Sequence, residues 1–352
     1  MENFDSKKVQ KRGIFNEDGD IALSKRKLIQ GNTTNLNDFN NLKYGWTMDW
    51  YRQSMNNFWI PEEISLSQDR KDYENISEAE RFAFDRFISS MASLDSIQTS
   101  NVPNLQVYVT ANEVNLCLSF VTFQEAMHNQ AISYILANIT DSQNADYIMH
   151  LYENDEKLSA RNKELADAYT EFLENNDEFN FVKNLFTNYV IEGIYFSSAY
   201  AFFYSLGQNG KVPGIVNEIR HINRDENKHL ELFKNTINDF RSERPDLFTA
   251  DLNEAYRKIL SDAIDKELAW ADYLIGDNIQ GLDINELKDY IKYLGNEGAR
   301  ALGLESLYAG YREIPASMRF IEEGADLSAS KKDFIEEKVS SHTSSSFIED
   351  DL

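Results

Sequence analysis

Two short segments pair a carboxylate with an imidazole at helical spacing, Glu125-Ala-Met-His128 and Glu226-Asn-Lys-His229. Residues i and i+3 share a helix face, so each pair can offer an oxygen and a nitrogen to one divalent cation. Both faces read as buried. Val114, Leu118 and Val121 lead into Glu125 and His128, and Ile215, Ile219 and Ile222 lead into Glu226 and His229, all at steps of three or four. No lysine or arginine lies on either stripe, and a buried carboxylate costs several kcal/mol unless it is paired or bound to a metal. Two more acids interrupt apolar faces: Asp95 follows Phe87, Ile88, Met91 and Leu94, and Glu192 sits with Leu185, Tyr189 and Phe196. Asp95 and Glu125 are 30 residues apart and Glu192 and Glu226 are 34 apart, which suits consecutive antiparallel helices. One Glu-x-x-His is a weak signal. Two, with two further acids at matched spacing, point to a dinuclear site in which two divalent cations cancel four carboxylates.

The other candidates read differently. His150 and His221 have no such partners and are expected at the surface or in the core. Cys117 is the single cysteine. It excludes an internal disulfide and a cysteine-based zinc site, and it reads as packing rather than chemistry.

The elements that must position these residues are helices. There is no alternation at period two and no Asn-Gly hairpin between β-branched runs. The five prolines, Pro61, Pro103, Pro213, Pro245 and Pro315, are expected between helices or in their first turns. Asn209-Gly210 reads as a helix–helix turn. The fold class is therefore all-α, a ferritin-like helical bundle with a dinuclear metal site in its core, as in carboxylate-bridged di-metal proteins. Residues 1–40 are polar and read as a mobile arm, 41–315 as the helical domain, and 316–352 as a flexible, serine-rich tail. The tail is either plain disorder or a tethered peptide that docks through Phe347, Ile348 and Leu352. The uncharged run from Gly193 to Gly210 contains several polar residues and reads as a buried helix rather than a membrane span.

The chain has 352 residues, 35 Lys+Arg against 59 Asp+Glu, and a formal net charge of −24. That balance argues against nucleic acid and anionic lipid as partners. The first 27 residues carry charges throughout and no apolar stretch of a secretory signal, so a cytoplasmic location is expected.

The same residues carry a family resemblance. Asn57-Phe-Trp-Ile-Pro-Glu-Glu63, Leu94-Asp-Ser-Ile-Gln98, Phe123-Gln-Glu-Ala-Met-His128, Glu192-Gly-Ile-Tyr-Phe196 and Arg224-Asp-Glu-Asn-Lys-His229 resemble, in order and spacing, the small radical-generating subunit of class I ribonucleotide reductase. The resemblance runs from about Asn32 to the C-terminus. It implies metal ligands Asp95, Glu125, His128, Glu192, Glu226 and His229, and an electron-transfer route from the metals through His128 and Asp225 to Trp59. It also implies an apolar pocket that includes Phe196 and Ile222, a homodimer, and a large catalytic subunit that binds the C-terminal tail.

The chain departs from that pattern in informative places. Most members have a radical-storing tyrosine four residues after the first ligand histidine; here it is Ile132. Tyr134 lies about 200° further round the helix and is expected to face elsewhere. Tyr200, eight residues after Glu192, is the first candidate to substitute. Ile132 and Asp95 together resemble the dimanganese subclass, in which a high-valent cluster replaces the tyrosyl radical. Manganese–iron and di-iron pairs stay open, because the ligand types suit manganese and iron alike. In the tail, His342 stands where the family has a relay tyrosine, and Ile314-Pro-Ala-Ser-Met318 replaces an Asn-Pro-x-Pro-Trp stretch.

The leading expectation is an oxidoreductase subunit that initiates reduction of ribonucleotides to deoxyribonucleotides in its large partner. The rivals are a ferritin-like di-metal oxidase or oxygenase with its own small substrate, and a non-catalytic small-subunit paralogue.

Overall fold

A computed structural model describes residues 7–325. Twelve α-helices make up the described residues, in the order α1 (Trp46–Asn56), α2 (Ser67–Asn75), α3 (Glu78–Gln106), α4 (Asn112–Ile139), α5 (Ser142–Met149), α6 (Glu156–Glu174), α7 (Glu178–Val190), α8 (Ser197–Gln208), α9 (Pro213–Glu243), α10 (Ala250–Leu274), α11 (Ile284–Ala301) and α12 (Arg319–Ala325). No named strand occurs among these residues; two isolated bridges, Lys8–Asp177 and Ile29–Val109, are the extent of β pairing there. The fold is the all-α, ferritin-like bundle expected.

The helix starts follow local chemistry. Ser77 and Glu80 form a reciprocal capping box at α3, and Asp141, Asp155, Asp177, Thr249 and Asp283 cap α5, α6, α7, α10 and α11. α9 opens with Pro213 at its first turn, and buried Asp69 of α2 accepts from the backbone N–H groups of Gly214 and Ile215. The α8–α9 turn contains Gly210 at φ +71°, as Asn209-Gly210 suggests. Four of the prolines lie where expected. Pro103 does not: it sits inside α3, in the last turn, where a missing N–H disturbs little of the helix beyond it.

The core is the packing of α3 on α4, of α4 on α9, and of α7 and α8 on α9. Within the run from Gly193 to Gly210, Ser197 to Leu206 are all buried, as expected, while Gln208 to Gly210 are exposed. No helix among the described residues is long and apolar enough to cross a membrane.

Residues 7–40, expected as a mobile arm, instead run as a strap over the bundle. Val9, Leu28 and Ile29 are buried. Val9 N donates to Asn176 O, Leu28 O accepts from Thr110 N, and Leu28 N donates to the Glu243 carboxylate. A few anchored apolar residues and backbone hydrogen bonds hold a segment whose overall composition is polar. Residues 316–325, expected within the flexible tail, instead lie on the bundle. Met318 and Ile321 are buried, and α12 packs on α8 and α9. His342, Phe347, Ile348 and Leu352 lie outside the described residues.

Candidate metal centre

α3 supplies Asp95, α4 supplies Glu125 and His128, and α9 supplies Glu226 and His229. Glu192 comes from a π-helical turn, Ile191–Tyr195, between α7 and α8. All six are buried, Glu192 the most exposed at 5%. Their donor atoms converge in two overlapping sets: Asp95, Glu125, His128 and Glu226, and Glu125, Glu192, Glu226 and His229, with the atoms of each set within 4.8 Å of one another. Glu125 and Glu226 belong to both sets, so each could serve two ions, and each set adds one further acid and one imidazole.

The donor set fits a pair of divalent cations. Both oxygens of Asp95, both of Glu125, Oε2 of Glu192 and Oε1 of Glu226 are buried without a hydrogen-bond partner among the described residues. Such atoms are costly unless something charged meets them. Burial, then the Glu125 charge, pushes Asp95 well above the usual carboxylate range. Burial and the charge of Glu226 raise Glu192 in the same way. Glu226 goes the other way: burial is outweighed by His229, Glu192 and His128, which hold it well below. Burial lowers the two histidines less than the surrounding carboxylates, Glu226 foremost, raise them.

Surrounding polar groups fix the rings. Nδ1 of His229 lies 2.9 Å from Glu226 and 3.1 Å from Glu125, and its Nε2 is 3.1 Å from Gln124 Oε1. Gln124 Oε1 accepts a ring proton from Nε2, and Nδ1 faces the acids. His128 is oriented alike, with Nδ1 3.0 Å from Glu226 and Nε2 3.6 Å from Asp225 Oδ2. Gln98 donates to Glu192 at 2.5 Å and accepts from the Tyr169 hydroxyl at 2.8 Å. Sequence reasoning singled out neither Gln98 nor Gln124 as a site residue. The signal was their position, Gln98 three residues after Asp95 and Gln124 next to Glu125.

Trp59 donates its indole N–H to Asp225, and its ring lies over His128 at 6.5 Å between centroids. His221, read as a surface or core residue, stacks on the other ring neighbour position of Trp59 at 4.9 Å and 17°. Ile132 is fully buried on α4, one turn past His128. Tyr134 faces elsewhere and donates to Ile64 O. Tyr200 is buried and stacked on Phe196, its hydroxyl lacking a hydrogen-bond partner among the described residues. Burial, then the charges of Glu226, Asp95 and Glu192, raise it well above the usual tyrosine range. Ile222 is fully buried one turn before Glu226. Cys117 is buried and His150 is exposed, bonding to its own helix at Asp146 O.

A family model described as "Ribonucleotide reductase, small chain" matches residues 36–315. The ribonucleoside-diphosphate reductase subunit beta of Treponema pallidum (strain Nichols) is 48% identical over 344 residues, covering 98% of each chain. A protein of the same description from Halalkalibacterium halodurans is 32% identical and covers 94% of each. Among solved structures, the ribonucleotide reductase R2 subunit from Clostridium botulinum matches with a TM-score of 0.88 and 40% identity, over 91% of this chain and all of that one.

Proposed function

Because the chain belongs to the ribonucleotide reductase small-chain family, we propose that it holds a dimanganese cofactor on Asp95, Glu125, His128, Glu192, Glu226 and His229. It is an oxidoreductase subunit, and its partner is the large subunit of the enzyme. The observation that carries the cofactor reading is the sharing of Glu125 and Glu226 between the two donor sets. When bound, the metal pair supplies the one-electron oxidant that starts radical reduction of ribonucleotides in the large subunit.

The chain's own residues do the rest. The buried helices exclude water from the six ligands. Gln124 holds the ring proton of His229 on its outer nitrogen, and Asp225 faces the outer nitrogen of His128 at 3.6 Å. Gln98, itself held by Tyr169, orients Glu192. Trp59, hydrogen-bonded to Asp225 and stacked at 6.5 Å on His128, forms the route from the metal site toward the surface. Trp59 is nearly buried, at 7% exposure, and lines a surface cavity of about 290 Å³ with Phe58, Ile60 and Phe123.

Manganese without a stored tyrosyl radical is favoured by Ile132, which has no accessible one-electron oxidation at the position where the resemblance implies a tyrosine in most members. The C-terminal tail is the segment assigned to docking on the large subunit. Exposed Phe58, Ile60 and Phe123, with Phe58 stacked on Phe123, offer apolar surface for a homodimer.

The test is low-temperature electron paramagnetic resonance on the full chain loaded with Mn²⁺ and exposed to superoxide. The expected result is a multiline manganese-coupled signal with no sharp organic radical. A sharp tyrosyl signal would overturn the dimanganese reading and direct attention to Tyr200 and to iron with oxygen.

A further inference from the structure

Glu192 is the one ligand not carried by a regular α-helix. Its π turn, Ile191–Tyr195, holds one residue more than an α-helical turn would. One residue is about 100° of rotation, so a return to α geometry would swing Glu192 away from the other ligands, or swing Phe196 and Tyr200 away with α8. Something must hold the wider turn.

The buried pair Arg161 and Glu267 meets both sides of its C-terminal end. Arg161 (α6) donates through one guanidinium nitrogen to Tyr195 O at 2.9 Å and to Glu267 Oε2 at 2.6 Å. Its guanidinium also lies over the Tyr195 ring, 4.2 Å from the centroid, and over Trp270 at 5.3 Å. Glu267 (α10) uses its other oxygen to accept from Ser198 N at 3.1 Å and Ser197 Oγ at 3.4 Å. The pair thus takes the last carbonyl of the π turn and an N–H at the start of α8. Arg161 is 8% exposed and Glu267 fully buried. A buried ion pair is seldom worth more than well-packed apolar residues for stability, and its best-attested use is to fix register. On the opposite side, Gly193 admits α9: a Cβ there would meet Leu230 Cδ1 at 3.0 Å.

We propose that Arg161 and Glu267 are positioning residues for Glu192, clamping the π turn in the register that completes the second ion position. The proposal rests on Glu192 being a metal ligand.

The experiment counts Mn²⁺ bound to the full chain and records its paramagnetic resonance. Glu267→Gln keeps shape and an acceptor but removes the charge that holds Arg161. The double variant Arg161→Met/Glu267→Leu removes both charges. Asp95→Ala and Glu192→Ala serve as one-ion references. The expected result is unchanged helix content by circular dichroism, one ion held as in wild type, and the other weakened by roughly 10–100-fold, typical for loss of a group that supports a ligand. The remaining one-ion spectrum should match Glu192→Ala, not Asp95→Ala. Two ions bound with wild-type affinity, or both weakened equally, would overturn the clamp. If the double variant does not fold, Glu267→Gln decides on the same outcomes. A wild-type chain that binds fewer than two ions would instead overturn the dinuclear reading beneath it.

Discussion

The indole N–H of Trp59 donates to Oδ2 of Asp225 at 2.9 Å, and that same oxygen lies 3.6 Å from Nε2 of His128. One carboxylate atom therefore binds the indole and faces the imidazole. Arg224 binds the other oxygen at 3.0 and 3.1 Å, so Asp225 cannot easily rotate away. Burial, which would raise Asp225, is outweighed by His128 and Arg224, and its carboxyl stays below the usual range.

Trp59→Phe keeps a ring of similar shape but removes the N–H. Bound manganese should stay at the wild-type ratio, while turnover with the large subunit should fall by about a hundredfold or more, the scale of loss when a reacting arrangement is broken. Ion counting and a deoxyribonucleotide assay on the same sample check this; full activity would remove Trp59 from the route.

The shared carboxylates make a distinct prediction. Glu226→Ala should leave the chain without tightly bound Mn²⁺, because it belongs to both donor sets, whereas Asp95→Ala should leave one ion. Ion counting after gel filtration, with circular dichroism to confirm helix content, distinguishes them.

Tyr200→Phe removes a hydroxyl that is buried without a hydrogen-bond partner among the described residues. Stability should be unchanged or rise by up to about 1 kcal/mol, and turnover should persist under the proposal that the oxidising equivalent is held on the metals. Loss of turnover with intact metal content would make Tyr200 the radical site. Urea unfolding and the turnover assay read both effects.

Glu218 on α9 is fully buried, with neither carboxylate oxygen hydrogen-bonded among the described residues. Burial, then the charges of Glu62 and Asp69, push it up to about 9. Its folded pKa lies above its unfolded value near 4.3, so the native state holds this proton more tightly. The associated stability is complete below about pH 4.3 and is lost progressively as pH rises toward 9. Glu218→Gln should abolish this term, so the variant is stabilised relative to wild type by several kcal/mol at about pH 8.5 and differs little from it at about pH 5. Urea unfolding at the two pH values is the measurement.

Much of the metal centre was legible because helical periodicity converts spacing into direction. Glu125 with His128, and Glu226 with His229, had to share faces, and the apolar residues before them showed which way those faces pointed. Asp95 and Glu192 were readable as acids on apolar stripes. The π turn was not. The sequence from Leu185 to Phe203 is apolar nearly all round, so an extra residue changes no visible pattern. His221 on Trp59 was hidden because the contact joins distant parts of the chain. The strap was hidden because Val9, Leu28 and Ile29 are too far apart to show any period. Its partners, the backbone of Thr110 and Asn176, carry no mark in the sequence.

That strap imposes an order of events. Leu28 donates to Glu243, 215 residues further along, and Val9 bonds to Asn176. During synthesis the first forty residues leave the ribosome before Asn176 and Glu243 have been made. Val9, Leu28 and Ile29 must wait, wetted, until α4, α7 and α9 have formed a surface to receive them. The first part of the chain to be made is thus among the last to settle, and the newborn N-terminus is where a chaperone would find exposed apolar side chains longest.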